Sequence, residues 1–350
     1  MSRKNLLVSA VVLLVLAVLV YLQFRSWRDF DWQVFWRETR RADPLRVLAA
    51  VALIYFVYVL RALRWKIFLR PVSPASAWSL TPPTMIGFTG LALLGRPGEL
   101  IRPYLIARRQ KLPFSSQMAV WMVERIFDTG SFTILVTLTI FLAPGMGALP
   151  YSVEFRAFGY FLLVLVAVLA AFALLLWRNA PGLARWSERR LSPLSPSFAA
   201  GVAEKIRAFG KGLHTLHDLS SFFQLVGISL AIWLLIAIAF REVLHAYPEP
   251  LRTMPLSHIV LLMGFSIAGS TVLLPAVGGG SQLATIAALA HVFRVSPELS
   301  VSCGILLWLV TFVSVTPAGL LLARREHVSL RRLSQEAGEP AAAPPTAAPQ

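Results

Sequence analysis

The chain has 350 residues, of which 57% are hydrophobic and only 14% charged, against roughly 25% charged in soluble domains. That balance excludes an ordinary soluble domain and requires a polytopic membrane protein. The formal charge of +16 does not point to nucleic acid, because Lys and Arg gather at the ends of apolar runs, as the positive-inside rule expects.

Residues 6–24 are almost wholly apolar and follow Arg3-Lys4. The run exceeds a signal-peptide core and lacks a small-residue cleavage site, so it reads as a retained first span. Residues 25–43 mix charges with Trp27, Phe30, Trp32, Phe35 and Trp36; helical spacing gathers much of that set on one face, which predicts a helix in the interface plane. Residues 47–60 form a second span, short unless Arg46 and Arg61 snorkel. Arg61, Arg64, Lys66 and Arg70 close it, with Trp65 as the anchor of that end.

Pro82-Pro83 and then Gly95-Arg96-Pro97-Gly98 fence off an apolar helix of about a dozen residues, about 18 Å against about 30 Å of hydrocarbon. A second short segment follows the break. Two such half-length helices predict a re-entrant hairpin, which lipid tolerates only where protein or water surrounds it. Residues 117–143 and 158–177 are the third and fourth spans. Residues 178–221 form a basic cytoplasmic loop in which Val202, Ile206, Phe209, Leu213 and Leu216 recur at steps of four and three, the pattern of an amphipathic surface helix. Residues 222–244 are the fifth span. The apolar run 256–274 is broken by Pro275-Ala276-Val277-Gly278-Gly279-Gly280, and a second short helix covers 282–293. Residues 301–322 are the sixth span. The Ala- and Pro-rich tail, 331–350, cannot bury a core and is expected to be disordered.

The expected fold is therefore all-α: about six full transmembrane helices plus two re-entrant helical hairpins in one membrane domain, residues 1–330. With both termini cytoplasmic, most Lys and Arg fall inside. Gly98-Glu99-Leu100 aligns with Ser281-Gln282-Leu283, and the spacing from Glu99 to Arg125 equals that from Gln282 to Trp308. These matches predict two repeats, about 45–143 and 222–323, inserted with opposite topology, the plan of many transporters.

Ionisable groups at membrane depth cost at least about 2.5–3.5 kcal/mol each and read by default as functional. The candidate substrate-binding set is Arg96, Glu99, Arg102, Glu124, Arg125 and Asp128 from the first copy, with Gly278, Gly279, Gly280 and Gln282 from the second. Glu99, Arg102, Arg125 and Gln282 are expected to meet in a common polar chamber. Arg forks suit phosphate, and the glycines would allow close backbone approach. The plainer alternative makes Glu124, Arg125 and Asp128 a structural ion network and the glycines a packing device. Arg61, Arg64 and Trp65 are read as structural. A single cysteine, Cys303, and six scattered histidines offer no metal-ligand set, so no metal and no cofactor are expected.

These residues resemble the lysylphosphatidylglycerol synthase transmembrane family, the flippase-like region of bacterial multiple peptide resistance factors. The marks are Arg61-Ala62-Leu63-Arg64-Trp65, Gly95-Arg96-Pro97-Gly98-Glu99-Leu100-Ile101-Arg102, Glu124-Arg125-Ile126-Phe127-Asp128, and the stretch from Pro275 to Gln282. Where the family often has Glu this chain has Gln282, and it has Trp308 near a family Arg. The resemblance implies a stand-alone domain that translocates an anionic phospholipid or a polyprenyl-phosphate-linked intermediate across a bacterial-type cytoplasmic membrane. The family's full-length synthases carry an aminoacyl-transfer domain after the membrane part; the short segment beyond Arg325 has no room for one, so aminoacylation by this chain, or enzyme activity at all, is not expected. Two alternatives remain open from the residues. One is a membrane transferase using a lipid-phosphate donor, with Glu99, Glu124 and Asp128 as base or metal ligands. The other is a non-transporting scaffold for an envelope-synthesis enzyme. A homo-oligomer is a further expected partner state.

Overall fold

The computed structural model describes residues 30–193, 195–214, 219–270 and 279–326. The expected first span (6–24), the turn holding Gly278, and the tail from 331 lie outside the described residues. Among the described residues every regular element is helical.

Helix α1, Trp32–Arg41, starts where the Asp31 carboxylate accepts from the backbone N–H groups of Gln33 and Val34 at 2.8 and 3.1 Å, satisfying donors that a helix start leaves free. It buries Phe35 and is pinned to a later helix by the Thr39–Ser302 hydroxyl pair at 2.6 Å. Helix α2, Pro44–Leu69, has Pro in its first turn and Asp43 as its cap. Arg46, expected to snorkel, instead pairs with Glu242 at 3.0 Å.

Helix α3 runs Ala77–Leu94, through Pro82 and Pro83, which were expected to bound it at its start. The prolines delete two backbone donors near the helix start. The Thr81 and Thr84 hydroxyls donate to the Ala77 and Leu80 carbonyls at 2.9 and 2.7 Å, so the turns around them hold together. At 18 residues α3 is about 27 Å long, well beyond the half-length expected. It ends at Gly95, whose φ of +70° and ψ of −144° suit glycine alone. A tight turn, Arg96–Leu100, leads into α4, Ile101–Gln110. The two helices press together backbone to backbone: a Cβ on Gly98 would collide with the Gly90 carbonyl, and one on Gly87 with the Arg102 side chain.

Helix α5, Phe114–Leu142, is followed by α6, Ser152–Leu191, which bends at Asn179 just before Pro181. Helix α7, Pro196–His214, folds back along the far end of α6, where Ala184, Ala199 and Ala203 are buried. The segment read as amphipathic runs along α7 from Val202, and its Leu216 lies outside the described residues. Helix α8, Leu219–His245, packs along α2. Helix α9, Leu256–Gly269, packs on α10, Gly279–Ala287. There too a glycine meets the opposite backbone: a Cβ on Gly269 would strike the Gly280 carbonyl. A π turn, Ala288–Val292, ends that pair. Helix α11, Pro297–Trp308, then continues through a second π turn, Leu309–Val313, into α12, Val315–Arg325. Close to that junction Gly319 lies against Thr89 of α3.

Four described helices are long and apolar enough to cross a membrane: Pro44–Leu69, Phe114–Leu142, Ser220–His245 and Pro297–Arg325. Protein covers only 22% to 33% of the most apolar stretch of each. The rest is open apolar surface, with Leu48, Phe56, Leu138, Leu234 and Leu321 exposed, and needs lipid as its solvent.

Candidate functional site: a buried ion cluster beside a cavity

Three helices bring a charged cluster together inside the bundle. Arg61 and Arg64 lie one turn apart on α2, Glu124 and Asp128 one turn apart on α5, and Arg102 comes from α4. Arg64 is fully buried. It donates to Glu124 Oε1 at 2.5 Å, to Asp128 Oδ1 at 2.6 Å and to the Ser229 hydroxyl at 2.9 Å. Arg102 grips Glu124 through both carboxylate oxygens. Its guanidinium also lies 4.5 Å from the centre of the Trp65 ring and 5.2 Å from that of Phe88. Trp65 is fixed in turn, its Nε1 donating to Gln117 Oε1 at 3.1 Å.

Such charges are expensive to desolvate and hold only when paired and hydrogen-bonded. Glu124 meets this condition twice over. Arg61 does not: its closest carboxylate oxygen is Asp128 Oδ2 at 3.7 Å, beyond hydrogen-bond reach, and that oxygen also faces Arg125 at 3.3 Å. Three buried guanidinium groups thus face two buried carboxylates, and Arg125, with 44% of its side chain exposed, adds a fourth cation at the rim.

Arg61 opens onto a cavity of about 160 Å³. Its wall is mostly apolar, from α2 (Val57, Tyr58), α3 (Phe88, Leu91), α8 (Trp233, Phe240), α9 (Met263, Ile267) and the second π turn, with Ser266, the cap residue Ser270 and Ser281 of α10 as its hydroxyls. The Ser266 and Ser281 hydroxyls bond each other at 2.8 Å. The Trp233 Nε1 is buried and has no hydrogen-bond partner among the described residues.

The sequence-predicted residues fall into three groups. Arg102, Glu124 and Asp128 are brought together in the core, with Arg125 at its edge. Glu99 is half-buried in the turn without an ion pair among the described residues, and the Arg96 side chain is not among the described ones. Gly279, with φ +58°, and Gly280 open α10 against Gly269, while Gln282 is half-buried beside them. Of Glu99, Arg102, Arg125 and Gln282, expected to share a chamber, none lines this cavity, whose charged member is Arg61. Arg61, expected to snorkel, is buried with Arg64, because two carboxylates one turn apart on α5 supply the counter-charge. Sequence reasoning read these two arginines as structural and did not foresee their pairing with α5. The missed signal was complementary spacing, Arg61 and Arg64 at i, i+3 facing Glu124 and Asp128 at i, i+4.

Comparison with known proteins places these features in context. A UPF0104 membrane protein of Methanothermobacter thermautotrophicus is 24% identical over 307 residues, covering 80% of this chain and 85% of that protein. The glycosyltransferase AglD of Haloferax volcanii is 35% identical over 89 residues, which span 25% of this chain but only 14% of AglD. No solved structure is a significant match. The profile of the lysylphosphatidylglycerol synthase TM region matches residues 6–319. With that match over nearly its whole length, and with the arginine and carboxylate motifs joined in its core, the chain belongs to the lysylphosphatidylglycerol synthase TM region family.

Proposed function

We propose that the protein is a flippase-like lipid translocator, moving an anionic phospholipid or a polyprenyl-phosphate-linked head group between the leaflets of a bacterial-type cytoplasmic membrane. The observation that carries this reading is a cavity between the helices, largely apolar but holding Arg61 and a serine pair, with walls that include α3, α9 and α10. A phosphate leaving water needs counter-charge and donors along its route, and Arg61 with the serine pair supplies both kinds of group. Acyl chains would stay outside, against the open apolar faces of the spans.

In this reading the four long apolar helices are joined by the first part of α6 and by residues 6–24, making six spans. The two short-helix pairs are re-entrant and enter from opposite leaflets, with both termini cytoplasmic. The paired glycine contacts, Gly90 with Gly98 and Gly269 with Gly280, support an inverted repeat. Translocation would then be a rocking of one repeat against the other around the cavity.

The test is reconstitution in sealed vesicles carrying trace fluorescent phosphatidylglycerol, phosphatidic acid or polyprenyl phosphate, with membrane-impermeant dithionite as quencher. Protein-dependent loss of the protected inner-leaflet signal for at least one of these lipids is expected. Protection equal to that of protein-free vesicles for all three would end the proposal.

A further inference from the structure

We infer that Arg61 holds a small, weakly hydrated monovalent anion of the chloride class, bound where the ion cluster meets the cavity. The site goes beyond the translocator reading and stands whether or not the protein moves lipid.

Charge is the first argument. The buried set counts three guanidiniums, Arg61, Arg64 and Arg102, against two carboxylates, Glu124 and Asp128, and so keeps one positive charge unbalanced. The surplus falls on Arg61. Glu124 is taken by Arg64 and Arg102, while Asp128 accepts from Arg64 at 2.6 Å and faces Arg125 at 3.3 Å. Arg61 is left with a carboxylate oxygen 3.7 Å away and the face of the Phe88 ring, 4.9 Å from its centre. It is only 8% exposed and makes no hydrogen bond among the described residues. Water can take its N–H groups, but only an anion balances its charge, and buried charge holds only when paired.

The neighbouring groups are the second. Tyr58 precedes Arg61 by one turn on the same face of α2 and lines the same cavity. Its phenol is buried and lacks a hydrogen-bond partner among the described residues, a condition that folded proteins rarely leave unmet. A guanidinium and a phenol O–H one turn apart are both donors to an anion. No Asp or Glu lines the cavity among the described residues.

The wall then selects the anion. A volume of about 160 Å³ far exceeds the roughly 10–15 Å³ that one water needs, so an ion fits with a water beside it. Most of the wall is carbon, with Ile54, Val57, Leu91, Ile236 and Met263 among its residues. Sulfate or phosphate would lose a strong hydration shell there in exchange for few donors. A halide gives up little hydration and lies readily against apolar groups, so the same wall favours it.

The experiment is chloride NMR line broadening by the full-length protein in dodecyl maltoside, with sodium gluconate holding the ionic strength constant and protein-free micelles as the blank. Saturable broadening is expected, reversed by bromide and left in place by sulfate. Arg61→Met should weaken chloride binding about tenfold or more, the size of one charge-assisted hydrogen bond. Tyr58→Phe keeps the ring, leaves the ion cluster untouched and should weaken binding severalfold at an unchanged melting temperature in gluconate. That second variant carries the test where Arg61→Met does not fold. Broadening that never saturates, reversal by sulfate as strong as by bromide, or wild-type binding by either folded variant overturns the inference. Chloride binding by a protein that moves no lipid would leave the site standing and remove translocation; lipid movement without chloride binding would do the reverse.

Discussion

Arg102 holds Glu124 through both carboxylate oxygens, and so ties the helix after the glycine turn to the span that follows it. Glu124 is shared with Arg64, which makes it the hub of the cluster. Glu124→Gln strands the buried Arg102, while Arg64 keeps Asp128 and Ser229; breaking a buried pair in this way costs about 3–5 kcal/mol. Arg102→Met removes one cation and leaves Glu124 paired with Arg64. The expected order of thermal stability in detergent is wild type, then Arg102→Met, then Glu124→Gln, read by differential scanning fluorimetry together with the monodisperse fraction in gel filtration.

The glycine contact at the first turn is a steric prediction. Gly98→Ala places a methyl group against the Gly90 carbonyl and should destabilise by about 1–3 kcal/mol, as overpacking does. Gly130→Ala is the internal contrast: nothing lies within 4 Å of its Cβ position, and within α5 the change should stabilise by up to about 1 kcal/mol through helix propensity. Opposite shifts in melting temperature are expected from the two substitutions.

Opposite entry of the two short-helix pairs can be read by chemical labelling. Ser115 and Ser296 are exposed at the starts of α5 and α11, and Cys303 is buried. In right-side-out cells, Ser296→Cys should react with an impermeant maleimide and Ser115→Cys should react only after permeabilisation. Labelling of both from the same side would refute the inverted arrangement while leaving the helices in the membrane.

Outside the spans, the Tyr247 hydroxyl joins the Thr39–Ser302 contact, 2.9 Å from Ser302. Burial, and then the neighbouring Cys303, push the phenol well above its ordinary value. The folded state therefore holds this proton more tightly than the unfolded chain. Its stabilisation is complete below the unfolded value of about 10 and declines as pH rises beyond it. Wild type should lose melting temperature between about pH 9.5 and pH 11 more steeply than Tyr247→Phe. At neutral pH that variant should be less stable by about 1 kcal/mol for the lost hydrogen bond.

Much of the helix order was legible because long apolar runs leave few alternatives: residues 117–143 and 222–244 correspond closely to α5 and α8. The prolines misled because the start of a helix tolerates lost donors better than its middle does, and α3 passes through Pro82 and Pro83. The site was legible only by parts. Glu124 and Asp128 stood out as acids in an apolar run, but Arg61 and Arg64 resembled the common basic collar at the end of a span. Pairing between distant helices decides such cases, and a single strand of sequence carries no distance between α2 and α5. The cavity's serines and Trp233 had no signal at all, since hydroxyls and indoles are ordinary in spans.

The two halves of the bundle are furnished unequally. The Arg64–Glu124–Arg102 chain clamps α2, α4 and α5 into one block, whereas the Ser266–Ser281 side is held by a hydroxyl contact and flanked by two widened turns, Ala288–Val292 and Leu309–Val313. Widened turns of this type recur at functional sites in helices. In the translocator reading proposed above, the stroke falls to the hydroxyl side, with the arginine block acting as its anvil.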